Sequence, residues 1–488
     1  MRDLPTVKPS RYNVWVPLKD GRSLLHNTAS GALLLLEAED GGPVVEALQS
    51  DEVRLPQDVR RALLYGGFIV EERLDEVEEL RLQFESRRVD PTRMVLTVAP
   101  TLACNFGCDY CFQGKDKPTG RMSKDVEAAI VPFLSSKLST VRELHVAWYG
   151  GEPLMAMPTI ESLSDELMTE CANRGIQYDA MIVTNGYSLT ARVAEALTSR
   201  RVRLAQVTLD GAADYHNRRR MLLSGRPTFQ RIVDNMKAAI RETDLRIAVR
   251  INIDSRNQGE IFGLIDALVD EGLADNEQFS IYFAPVEAIT EGCHGVSSMT
   301  MTKNSYASLE TRLQVYAFER GLSRLSSPTR FRGLCGAVRS NGFVLTPSGD
   351  VHKCWDTVSM PAHRIGTVFD GPSDAVNRSP LAKRWLQWSP FDNETCRSCR
   401  ILPYCAGSCA HKFINPSQTM GEAAVLPCPS WKYQLAERLL LLALNQRVIT
   451  RADYDLEAAH IDPTHLCDEQ PVPPPPGAGT SLLPLSRA

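Results

Sequence analysis

Three cysteines, Cys104, Cys108 and Cys111, stand within eight residues in the stretch "TLACNFGCDYCFQG". Three thiolates from one loop are an awkward number. A disulfide takes two, and a structural zinc site takes four ligands. Thiolates also hold iron–sulfur clusters. A four-iron cluster on three cysteines keeps one iron open for a further ligand. The alternative is a zinc site completed by a distant fourth donor. Seven more cysteines fall between Cys335 and Cys428, and none precedes Cys104. Their spacing is Cys335-x18-Cys354, then Cys396, Cys399, Cys405 and Cys409 as C-x2-C-x5-C-x3-C, then Cys428. Clustering of this kind reads as metal sites rather than as a disulfide framework. On these residues alone, a pair of zinc knuckles remains the competing reading.

The bulk numbers narrow the setting. A chain of 488 residues suggests two to four domains. Net charge is -5 and the pI is about 6.1, which gives no basic footprint for nucleic acid. The start, "MRDLPTVKPS", lacks a charged-then-apolar signal pattern, and no apolar run is long enough to span a bilayer. We therefore expect a cytoplasmic protein with neither a nucleic-acid nor a membrane partner, in a compartment where thirteen cysteines stay reduced.

The elements that must position these cysteines follow from periodicity. From residue 94 the pattern runs strand, loop, helix, six times over: "MVLTVAP", "ELHVAWY", "YDAMIVTNG", "RLAQVTLDG", "LRIAVRINID" and "FSIYFAPVE" alternate with amphipathic helices. Six βα units imply an α/β fold with a parallel sheet, too few for an eight-stranded barrel. An open, partial (β/α)6 barrel is expected over 94–329, with its site at the C-terminal strand ends. The three-cysteine loop follows the first strand and lands there. Before the barrel, residues 1–75 read as a small α+β unit. "YNVWVPL" and "RSLLHNT" pair around "KDG", "TASGALLLLEA" starts a helix, two short helices follow, and "FIVEE" is a last strand. Residues 76–93 read as a charged connector helix. The region 330–449 is loop-rich and cysteine-rich. From 450 to 488 the chain is proline-rich and expected to be disordered.

The C-x3-C-x2-C loop, with Tyr110 and Phe112 flanking Cys111, resembles the signature of radical S-adenosylmethionine (SAM) enzymes. Later strand ends carry matching motifs. "YGGEP" supplies Gly150, Gly151, Glu152 and Pro153; by resemblance it meets the methionine amino group of SAM. "TNG" puts Thr184 and Asn185 near the ribose. "TLDGAADYHNRRR" supplies Thr208, where the family more often has Ser, and Arg220, suited to a carboxylate. The resemblance implies that a reduced cluster cleaves SAM to a 5′-deoxyadenosyl radical, which takes a hydrogen atom from carbon.

The seven later cysteines resemble the SPASM extension of peptide and protein maturases within that superfamily. The resemblance implies three [4Fe–4S] clusters: one binding SAM and two auxiliary. Cys396, Cys399, Cys405 and Cys428 would ligate the second auxiliary cluster. Cys335, Cys354 and Cys409 would ligate the first, which is then one ligand short. Cys293 is the candidate stand-in; otherwise the site is open or closed by a non-cysteine ligand such as a nearby Asp. In sulfatase-maturing relatives a catalytic aspartate directly follows the cysteine matching Cys354. Here Trp355 intervenes, and Asp356 is the candidate proton acceptor. Cys171 reads as packing within a helix and Cys467 as a free thiol in the tail.

Residues 1–75 resemble the winged-helix domains that hold leader peptides in ribosomal-peptide modification. A DNA-binding winged helix or a ligand-free accessory fold are the alternatives. Together the expectations are a peptide-modifying enzyme that forms a crosslink or an oxidised residue, with a reductant such as flavodoxin or ferredoxin. The competing readings are a maturase of sulfatase or quinohaemoprotein type, a small-molecule dehydrogenase, and a non-enzymatic electron carrier.

Overall fold

The computed structural model describes residues 6–49, 55–111, 113–114, 118–324, 328–331, 333–420, 427–454, 461 and 463–467. In the N-terminal unit, β1 (Val7–Pro9) pairs with β5 (Ile69–Glu71), and β2 (Asn13–Pro17) pairs with β3 (Ser23–Asn27) across the expected turn. The expected helix at "TASGALLLLEA" is instead a strand, β4 (Leu33–Leu36), antiparallel to β3. Asn27 turns the chain: its Oδ1 accepts from the N–H groups of Ala29 and Ser30 at 3.0 and 2.9 Å. Gly31 then takes φ +82. Leucine favours helix, but four leucines in a strand can bury both faces. Leu34 and Leu36 pack into the N-terminal core, while Leu33 and Leu35 pack toward the C-terminal helix Leu435–Asn445. Tertiary burial outweighs a propensity of a few tenths of a kcal/mol per residue. The helix begins later, as α1 (Ala38–Gln49), followed by α2 (Gln57–Tyr65).

The connector is also more than a connector. In α3 (Glu76–Val89), Asp75 caps the start by accepting from the N–H groups of Val77 and Glu78. Leu80, Phe84 and Arg88, one helical stripe, are buried. Phe84 lies edge-on to Phe331, Trp388 and Phe391, with centroids 6.3, 6.4 and 5.8 Å away. Arg88 donates to the carbonyls of Leu386 and Trp388. The many charged residues of α3 mask this seam against the cysteine-rich region in the sequence.

The six barrel strands fall where the periodicity puts them: β6 (Arg93–Val98), β7 (Glu143–Trp148), β8 (Gln177–Thr184), β9 (Val202–Thr208), β10 (Arg246–Ile253) and β11 (Phe279–Pro285). Each is parallel to the next, and β6 and β11 do not pair, so the barrel stays open. Helices α4 (Lys124–Leu138), α5 (Met157–Arg174), α6 (Ala191–Thr198), α7 (Ala213–Arg219), α8 (Phe229–Glu242) and α9 (Ile261–Asp270) connect them, and α10 (Lys303–Glu319) follows. Their apolar faces and the strands form one core.

The C-terminal region is stitched onto this sheet. β12 (Gly342–Leu345) pairs parallel with β6; β13 (Asp350–His352) and β14 (Gly366–Thr367) continue antiparallel, giving nine strands. Lys353 is buried at this seam, and its ammonium donates to the carbonyls of Arg339 and Gly342 at 2.6 and 2.7 Å. Cys354, which follows, is thereby delivered beside the barrel. The tail also begins later than residue 450. Arg22 pairs with Asp453 at 2.5 Å, and Leu466 is buried with Val16, Leu24 and Ile401. Residues 468–488 lie outside the described residues. Among the described residues, no helix is long and apolar enough to cross a membrane.

Replacing Phe84 by Ala should lower stability by about 3–5 kcal/mol, because it empties a site shared by three rings. The check is the shift of the denaturant midpoint. An unchanged midpoint would mean that α3 is only a connector.

Candidate active site and cysteine clusters

The C-terminal ends of the barrel strands open into a cavity of ≈ 410 Å³. Cys104, Cys108 and Cys111 line it together with Tyr110, Gly150, Gly151, Thr184, Asn185, Thr208 and Arg220. Residues from four strand ends thus meet, as their order implied. Phe112 lies outside the described residues. Glu152 and Pro153 do not line the cavity; both are buried behind it.

The reason is visible in the backbone. A Cβ on Gly150 would sit 2.2 Å from the Thr101 carbonyl oxygen. One on Gly151 would sit 2.2 and 2.3 Å from those of Ala103 and Leu102. The two glycines let the loop after β7 close against the backbone of the cysteine loop. Gly151 N–H then donates to Thr101 and Glu152 N–H to Ala103, at 3.1 and 2.8 Å. The Glu152 carboxylate accepts from Leu154 N–H at 3.0 Å, Thr184 Oγ1 at 2.7 Å and Asn185 N–H at 2.7 Å. Burial pushes its pKa up, and those three donors oppose the shift. Asn185 in turn donates to Asn105 Oδ1 at 2.8 Å. Three loops are therefore closed into one ring of hydrogen bonds.

On the other side, Tyr110 is held by Asp210, Arg220 and Asn252. The Arg219 guanidinium lies 4.4 Å from the Tyr110 ring centroid and pairs with Asp254 at 2.8 Å. Arg256 bridges Asp109 and Asp254 at 2.6 and 2.8 Å. His216 is buried beside Asp210, and burial with two nearby arginines holds it neutral. Asn217 caps α8 by accepting from the N–H groups of Thr228 and Phe229.

These residues fit a cluster with a charged ligand. Burial pushes the free Cys108 thiol up to about 11 while Arg220 pulls it down, so a bound cation is what would keep that thiolate. Arg220 lines the cavity with a buried Nε that has no hydrogen-bond partner. Such a donor suits an incoming carboxylate. Sequence reasoning missed Arg250, Asn252 and Trp355, which also line the cavity. Arg250 had a signal: a charged residue inside the apolar strand "RIAVRINI". Trp355 had none; its ring is tilted 47° against that of Tyr149, with centroids 3.9 Å apart.

The later cysteines separate into two groups. Ala406, Gly407 and Ser408 all have positive φ, a sharp reversal between Cys405 and Cys409. Cys396, Cys405 and Cys428 are electrostatic neighbours of one another. Cys399 contacts Cys467, whose Sγ lies 3.2 Å from Lys432 Nζ. Cys467 is thus not an isolated tail thiol but a fifth sulfur in this group. Arg400 N–H anchors its segment by donating to the Leu466 carbonyl at 2.8 Å. Cys409 instead lies near Cys335 and Cys354. Cys293 does not join them: it is buried, with its Sγ 3.2 Å from Thr290 Oγ1. Cys171 is packed in the barrel core, as expected.

Parts of this chain are similar to known proteins. Residues 98–252 match the Radical SAM superfamily model. The chain is 22% identical over 351 residues to the serine-type anaerobic sulfatase-maturating enzyme of Klebsiella aerogenes, covering 68% of this chain and 83% of that protein. It is 25% identical over 159 residues to the radical SAM cyclopropyl synthase TigE of Paramaledivibacter caminithermalis, covering 29% of this chain and 33% of that one. Among solved structures, anSMEcpe with bound AdoMet and Kp18Cys peptide shares the fold at TM-score 0.56 and 18% identity, over 73% of this chain and 99% of that chain. Streptococcus suis SuiB bound to precursor peptide SuiA reaches TM-score 0.50 at 14% identity, over 85% and 98%.

Gly151→Ala should displace the cysteine loop and lower SAM cleavage about 10²-fold, with loss of iron. Gly263→Ala, where a Cβ meets nothing within 4 Å, is the control and should leave both unchanged. Iron content and product analysis check this. Equal behaviour of the two variants would contradict it.

Proposed function

We propose that this chain, whose residues 98–252 match the Radical SAM superfamily model, is a maturase that modifies a ribosomally made precursor peptide. The observation that carries the reading is the open edge of β4: among the described residues this strand pairs only with β3. A free edge on a small sheet is suited to accept an extended peptide as a further strand. This sheet packs on the segment Cys399–Ile401 and the C-terminal helix, so a peptide held there starts close to the cysteine groups.

Cys104, Cys108 and Cys111 would hold a cluster that, with SAM bound, would supply the radical chemistry needed to abstract hydrogen from carbon. Arg220 holds the SAM carboxylate, and Thr184, Asn185 and Thr208 border its nucleoside. The backbone of Gly150 and Gly151 meets the amino group, and Glu152 positions that loop from behind. Cys396, Cys399, Cys405 and Cys428 hold one auxiliary cluster; Cys335, Cys354 and Cys409 hold another. Such clusters would supply an acceptor or relay for the second electron when a crosslink or oxidised residue forms. A reductant such as flavodoxin or ferredoxin supplies the first.

A second reading is a maturase of a protein substrate, favoured by the likeness to the sulfatase-maturating enzyme over 68% of the chain. Against it, Trp355 stands where such relatives place aspartate, and its ring is packed against Tyr149. A candidate peptide encoded beside the gene should lose two hydrogens when incubated anaerobically with enzyme, SAM and reductant, as read by mass spectrometry. It should also slow amide exchange in Leu33–Leu36. Modification of a folded sulfatase, with no change in the peptide, would favour the second reading. Removing residues 1–90 is a poor test, since it would strip Val14, Val16, Leu24 and Phe84 from shared cores.

A further inference from the structure

We propose that the Asp356 carboxylate is the fourth ligand of the auxiliary cluster on Cys335, Cys354 and Cys409. This rests on the reading of those three cysteines as a cluster site.

The donors converge. Among the described residues, Cys354, Asp356 and His411 bring their ligand atoms within 4.8 Å of one another. Asp356 Oδ2 lies 3.6 Å from Cys354 Sγ. Asp356 is also an acidic neighbour of Cys335 and of Cys409. The local turn produces this. Trp355–Thr357 is a single 3-10 turn, and Thr357 ties it down by donating Oγ1–H to the Cys354 carbonyl at 2.8 Å. Cys354 and Asp356, two apart, are thereby held against the same space.

The rival donors are committed elsewhere. Cys293 is turned to Thr290, with its Sγ 3.2 Å from the hydroxyl and 3.3 Å from the carbonyl oxygen. His411 Nε2 lies 3.0 Å from the Ile289 carbonyl and so donates, while Nδ1 faces the Asn415 amide at 3.4 Å. Both Glu287 oxygens accept from Lys412 Nζ, at 2.7 and 2.8 Å. Cys467 belongs to the other cysteine group. Asp356 is left as the acidic donor facing the three thiols. A carboxylate at this position also differs chemically from a fourth thiolate: it is a harder, more weakly held ligand for iron. Asp356 lines the barrel cavity as well, so the group that closes the cluster is within reach of substrate. A role as ligand replaces the role of proton acceptor suggested by the sequence.

The test uses full-length, anaerobically reconstituted protein in which Cys104, Cys108 and Cys111 are replaced by Ala, so that only auxiliary clusters contribute. About eight irons per chain are expected in this background. Adding Asp356→Ala should release about one iron on mild oxidation and give the paramagnetic signal of a three-iron cluster. Adding Asp356→Cys should restore the four-iron count with a lower reduction potential. Iron content, spectrum and potential all unchanged in both Asp356 variants would overturn the proposal. A background protein that holds about four irons or fewer would instead overturn the two-cluster reading on which it rests.

Discussion

The site depends on how closely the loop after β7 can approach the cysteine loop. Only a residue without a Cβ fits at Gly150 and Gly151, because carbonyl oxygens of Thr101, Leu102 and Ala103 occupy that space. With the two backbones locked, Glu152 is forced inward, where a buried carboxylate must find partners. It finds them on Thr184 and Asn185, so the loop after β8 is fixed by the same constraint. Arg219, Asp210 and Asp254 brace the opposite wall. The cysteines are thereby preorganised by their neighbours rather than by their own short loop.

The same logic extends to the C-terminal region. Its strand β12 adds to β6, the strand that feeds the three-cysteine loop. One sheet edge therefore sets the distance between the three-cysteine loop and Cys354. Trp355, packed at a tilt against Tyr149, closes the seam between them. The N-terminal unit reaches the other cysteine group through Thr28, which donates to the Arg400 carbonyl, and through Val14, Val16 and Leu24. Each cysteine group thus borders a different surface, the barrel cavity in one case and the N-terminal sheet with its open β4 edge in the other.

Much of this was legible before the structure. Strands β6–β11 announce themselves because parallel buried strands are continuous apolar runs between amphipathic helices. The cysteine loop and the glycines after β7 were legible because their chemistry is tied to residue type. What stayed hidden depends on distant partners. Leu33–Leu36 reads as helix until β3 is beside it. The seam on α3 is three residues among fourteen and is masked by charge. Glu152 looked like a ligand-facing acid because sequence gives type but not direction. Cys467 looked stranded because 38 residues separate it from Cys428 in the chain.

The central claim is that hydrogen is taken from a carbon of a precursor peptide by the radical formed in the barrel. The most direct measurement is the isotopic content of 5′-deoxyadenosine after turnover with a uniformly deuterated candidate peptide. The account predicts 5′-deoxyadenosine carrying one deuterium, in step with peptide modification. Unlabelled 5′-deoxyadenosine accompanying modified peptide would contradict it.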